Sequence, residues 1–141
     1  MEKTIVNEPK ELQGFRVVQD GEEICKALQN GETVMHWEAG NSMYPLLMHM
    51  EYCKISPREK HHIAAGQPVF CSFLYRDKED GELKTAYMVH RCTEVFVRGG
   101  EYYFKIEGTD GTVFGWTKDV YGVAERTNVF QDEVADRKSV V

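Results

Sequence analysis

Four serines occur in this chain of 141 residues, and one of them, Ser42, stands where a hydroxyl would be pushed into the open. Gly40 and Asn41 precede it and tolerate unusual backbone angles, while Pro45 fixes the exit of the turn. A nucleophilic serine needs such a turn. Its Oγ must protrude, and backbone N–H groups must converge on the oxyanion that forms when a carbonyl is attacked. The donors would be the N–H of Ser42 and one from the Gly40–Asn41 segment. Taken alone, the same residues describe an ordinary turn serine.

Such a serine also needs a base to take its proton. The histidines are His36, His49, His61, His62 and His90. His61 and His62 lie in a polar stretch and read as solvated. His36 alternates within a strand and reads as a satisfied, half-buried residue. His49 follows Ser42 by seven positions in an irregular segment. His90 sits late in the longest strand-like run, in YMVHRC, with apolar neighbours before it and Arg91 after it. A partly desolvated imidazole on a rigid strand has a stable geometry and a pKa near working pH. His90 is therefore the candidate base, although a lone strand histidine is more often a core residue.

Other chemistry is less well supplied. Cys25, Cys53, Cys71 and Cys92 are widely spaced, with no C-x-x-C, and sit among apolar or β-branched residues. They read as small buried hydrophobes in a reducing compartment. A zinc site joining Cys53 to His61 and His62 is disfavoured, because adjacent histidines rarely point at one ion. No metal or cofactor is expected. The net charge of −6 and the scattering of Lys and Arg argue against nucleic acid as a partner. No run approaches the roughly 18 apolar residues of a membrane span. The opening residues, MEKTIVNEPKELQ, are too polar for a signal peptide. The expectation is a soluble protein, cytoplasmic or part of a phage particle.

The elements that must position Ser42 and His90 are mostly strands. GEEICKALQ (21–29) places Ile24, Ala27 and Leu28 on one helical face, with acidic residues first and Asn30-Gly31 closing it. Beyond it the periodicity becomes two. Strands are expected at 33–39, 52–57, 68–75, 84–97 and 101–108, with two more between 112 and 127. Asp80-Gly81 marks a hairpin tip. The run 84–97 is long enough to require a bend or bulge. NSMYPLL (41–47) opens with a turn and has room for one helical turn. The domain boundaries are a lead-in over 1–20, a β domain over 21–127 and a tail over 128–141. In the tail, Phe130 and Val134 allow a short helix, and a frayed end is the alternative.

Several of these segments, in order, resemble a known superfamily. AGNSMYPLL is similar to the G-x-SM-x-P box of the type I signal peptidases and LexA-like autoproteases. YCKISP resembles the strand after that box, and AAGQPVFCSF resembles the next strand, with Gln67 where the family usually has Asp. YMVHRC, YYFKIEGTDG and DVYGVA resemble the three strands that follow. The match spans about residues 32–126. It implies a mainly β, LexA/signal-peptidase-like barrel or sandwich with one short N-terminal helix. The histidine-type members imply Ser42 as nucleophile and His90 as base, with Met43 lining the site behind the serine. The third polar group of the family has a doubtful counterpart in Asp110, which either orients His90 or serves its own turn. Asp119 fits the closing strand better than the site.

No membrane anchor, DNA-binding domain or Ala-Gly or Cys-Gly cleavage site is expected ahead of Ser42 in this sequence. It resembles instead short free-standing members from bacteria and phages, echoed in Gly115-Trp116-Thr117 and Tyr121-Gly122-Val123. Two functions follow as expectations. One is a Ser–His endopeptidase cleaving an extended peptide that lies as an added strand, with small residues on the acyl side. The other is a non-catalytic structural or interaction module of the same fold, for example a phage virion component with protein assembly partners, as an oligomer or larger assembly.

Overall fold

The computed structural model describes residues 9–40, 43 and 45–131. Among them are eight strands, one α-helix and two 3-10 turns. β1 (Arg16–Val17) leads into α1 (Gly21–Gln29), then β2 (Val34–Trp37), β3 (Glu51–Pro57), β4 (Pro68–Arg76) and β5 (Leu83–Arg98). β6 (Glu101–Glu107), β7 (Val113–Thr117) and β8 (Val120–Phe130) complete the chain order. The protein is mainly β, as its periodicity implies.

The helix forms for local reasons. Asp20 caps it by accepting the N–H of Glu23 at 3.1 Å, and Glu22 and Glu23 occupy the positive first turn. Ile24, Cys25, Ala27 and Leu28 point inward and are buried. Gly31, at φ 80°, takes the left-handed conformation that lets the chain leave the helix. Burying Ile24 and Leu28 contributes roughly 1.5–3 kcal/mol each.

The strands form one open sheet in the order β1-β2-β3-β8-β4-β5-β6-β7. All neighbours are antiparallel except β1 and β2. One half lies beneath α1, where Val34, Cys53, Ile55, Phe70, Val89 and Ala124 make the core. In the other half β4 to β7 curl over a second core that includes Val69, Cys71, Cys92, Phe104 and Ile106. The curl is held where the β7–β8 corner returns to β4. There Thr117 Oγ1 donates to the Ser72 carbonyl at 2.9 Å, and Ser72 N–H donates to that of Asp119 at 2.9 Å. The register of β5 against β6 slips between Cys92 and Glu94, which is the bulge so long a strand requires.

Two segments are more ordered than their composition implies. In the lead-in, a 3-10 turn at Lys10–Leu12 buries Leu12 against Met35, Tyr52 and Val129, and β1 adds to the sheet edge. β8 runs past Thr127 to Phe130, because Asn128 takes φ 62° and Val129 returns to the core. The rest of the tail, including the short helix considered around Val134, lies outside the described residues.

Candidate functional site

His90 belongs to β5 and pairs with Val69 of β4. Strand alternation sends its neighbour Val89 under α1 and His90 to the opposite side. The imidazole stacks on Phe114 with centroids 4.3 Å apart and planes inclined by 23°. Phe114 reaches it through a bulge in β7. Gly115 pairs with Ile106 and Val113 with Glu107, so Phe114 is the extra residue.

The Nδ1 of His90 is buried and has no hydrogen-bond partner among the described residues, and the same holds for the Nε of Arg91. An unpaired buried polar group of this kind costs roughly 1–3 kcal/mol. Burial pushes the His90 pKa below its usual 6.5, while the negative charges of Glu38 and then Asp110 pull it back up. Burial thus favours the uncharged ring, with the charges of two carboxylates within electrostatic reach.

Asp110 occupies the turn that joins β6 to β7. Its Oδ1 accepts the N–H of Thr112 at 3.0 Å, and Gly108 N–H donates to the Thr112 carbonyl at 2.8 Å. The hydrogen bonds from Thr112 hold its carboxyl below the usual range, with a smaller contribution from His90. Asp110 therefore serves its own turn and also lends charge to His90, without bonding to the orphaned Nδ1.

The serine-bearing loop leaves β2 after Trp37. The Gln19 side chain pairs with Trp37 as a short strand would, accepting its N–H at 3.0 Å and donating to its carbonyl at 2.8 Å. His49 Nδ1 accepts the N–H of Gly40, which has φ 116°, at 2.7 Å. Met50 N–H donates to the Glu38 carbonyl at 2.9 Å, and Leu47 N–H to that of Met43 at 2.9 Å, closing one helical turn. Behind the loop the buried Glu51 carboxylate accepts from Arg126 Nε at 2.9 and 3.1 Å and from Asn128 N–H at 2.7 Å. Met43 is buried, and with Ala39, Gly40, Leu47 and Met48 it lines a small cavity of about 20 Å³. Ser42 and Asn41 lie outside the described residues.

Glu38 is the charged neighbour of His90 that sequence reasoning missed. It lies just past the end of β2, two residues after His36, and its Oε1 sits 3.2 Å from His36 Nε2. The other ring nitrogen of His36 meets the Val18 carbonyl at 2.9 Å. A carbonyl can only accept, so Nδ1 carries a hydrogen. The i, i+2 spacing of His36 and Glu38 was the available signal. The electrostatic contact with His90, across the fold, left no trace in the sequence.

The cysteines are all buried and free. Burial pushes the Cys71 thiol up to about 12 and that of Cys92 up to about 11, and raises Cys53 further still. Cys53 lies in the core under α1, whereas His61 and His62 lie on an exposed 3-10 turn with Glu59. No helix among the described residues is long and apolar enough to cross a membrane. No family model, curated protein or solved structure matches the chain.

Proposed function

We propose that the protein is a small Ser–His endopeptidase of the LexA/signal-peptidase-like type, acting on an extended peptide. Ser42 Oγ attacks the scissile carbonyl while His90 takes its proton. The resulting oxyanion is held by backbone N–H groups of the Asn41–Ser42 segment, since that of Gly40 is engaged by His49. His90 then returns the proton to the leaving amine. In the second half-reaction it takes a proton from the attacking water, the acyl–Oγ bond breaks to release a carboxylate, and His90 returns the proton to Ser42 Oγ. Asp110 and Glu38 stabilise the transient imidazolium by charge.

The observation that carries this proposal is the setting of His90: strand-borne and half-buried, with a buried ring nitrogen that has no partner among the described residues, and with burial lowering its pKa. Unsatisfied buried polar groups in folded proteins call for an explanation, and catalysis is a common one. Glu38, whose charge reaches His90, precedes Ser42 by four residues, which supports bringing the two together. The small cavity beside Met43 suits a small side chain on the acyl side.

The test is covalent. A fluorophosphonate probe is expected to add one equivalent to the wild-type chain and none to Ser42→Ala or His90→Gln, read by intact-mass spectrometry. Equal labelling of Ser42→Ala, or no labelling of the wild type, overturns the assignment.

A second reading keeps the fold without turnover, as a structural component of an assembly such as a phage particle. It draws on the outer face of β5 to β7. There Phe96 stacks on Tyr103 at 4.9 Å and meets Trp116 edge-on at 4.8 Å, with Phe96 and Trp116 both about two-fifths exposed. Exposed aromatic clusters of this kind are typical of protein–protein contacts. An unlabelled wild-type chain would favour this alternative.

A further inference from the structure

Between β3 and β4 the chain makes a 3-10 turn at Lys60–His62, and this turn gathers three metal-binding side chains that the proposed peptidase does not use. The donor atoms of Glu59, His61 and His62 all lie within 4.8 Å of one another. The turn is anchored by its own hydrogen bonds, His62 N–H to the Glu59 carbonyl at 2.9 Å and Ile63 N–H to that of Lys60 at 3.2 Å. Ile63 is buried in the second core and pins the turn to the sheet. The backbone carrying the three donors is thus fixed, while the side chains stand in solvent.

We propose that Glu59, His61 and His62 form a surface site for a borderline divalent metal ion such as zinc. The donor set, two imidazoles and one carboxylate, matches that preference. Metal–ligand bonds near 2.0–2.1 Å in a tetrahedral shell put neighbouring donors about 3.3 Å apart. His61 Nε2 and Glu59 Oε2 already lie 3.3 Å apart. The His61 and His62 rings lie close together, with centroids 4.0 Å apart and planes tilted by 50°, so a side-chain rotation of His62 completes the set. That adjustment is cheap for an exposed side chain. The ordinary objection to adjacent histidines, that they diverge, is met here by the tight turn. Three protein donors leave a position open to water, the arrangement of an accessible site rather than a closed structural one. The positive charges of Arg58 and Lys60 flank the turn in sequence and weaken the site, and Glu59 offsets one of them.

The test is a zinc titration of the chelator-stripped full-length chain, followed by calorimetry and by NMR of the histidine side chains. One ion is expected per chain, with the His61 and His62 imidazole signals moving together and those of His36, His49 and His90 unmoved. His61→Ala and His62→Ala are expected to lose the binding and Glu59→Gln to weaken it, all with unchanged thermal melts because the three side chains are exposed. Absence of binding, movement of only one of the two signals, or undiminished binding by the His61→Ala/His62→Ala double variant overturns the proposal. None of these outcomes depends on whether Ser42 is a nucleophile.

Discussion

Val89 and His90 are adjacent in β5 and face opposite ways, and the two sides of the sheet they serve are built differently. On the Val89 side α1 seals the strands, and the buried Ser72 Oγ lies 3.1 Å from Tyr121 OH. On the His90 side the sheet curls without a helical cover, and the buried Nδ1 of His90 has no hydrogen-bond partner among the described residues. One side is organised for stability. On the other, burial lowers the pKa of the His90 ring. Polar groups held at a cost in stability mark the half of the fold where chemistry is to be sought.

Substitutions on either side break this comparison in opposite ways. The largest effect is expected beneath α1. Phe70→Ala removes a fully buried ring that stacks with Tyr87 and is expected to cost about 3–5 kcal/mol in chemical denaturation. Loss of the helix cap is smaller. Asp20→Ala is expected to cost about 1 kcal/mol by the same measurement, since it frees the Glu23 N–H that the carboxylate accepts. The smallest effect on stability is expected at His90. His90→Leu replaces an orphaned imidazole with an apolar group of similar size, and stability is expected to change by less than about 1 kcal/mol or to rise. Probe labelling is expected to vanish in the same variant. A large destabilisation by His90→Leu would mean that His90 is a core residue like Val89, and the two sides would not differ.

What the sequence made legible follows from the range of the interactions involved. The helix is local: Asp20, the acidic first turn and the spacing of Ile24, Ala27 and Leu28 specify Gly21–Gln29 without help from the rest of the chain. The Asp80-Gly81 tip and the bulge in β5 are similarly short-range. β1 was not legible, because two residues carry no period and the strand exists only by pairing with β2. The extension of β8 depends on Asn128 taking φ 62° and on the pairing of Phe130 with Glu51. In the candidate site, the residue type of His90 and its place in a strand could be read, while Ser42 lies outside the described residues. The charges of Glu38 and Asp110 around His90, and the stacking of Phe114, arise from strands distant in sequence and need the fold.

The claim on which the account rests is that His90 is the neutral base for Ser42, and the pH dependence of fluorophosphonate labelling tests it most directly. Only the unprotonated ring accepts a proton, so the rate should rise with pH and level off. Because burial lowers the His90 pKa, the midpoint should fall below 6.5. A midpoint above 6.5, a rate that does not change with pH, or the same curve for His90→Gln would contradict it.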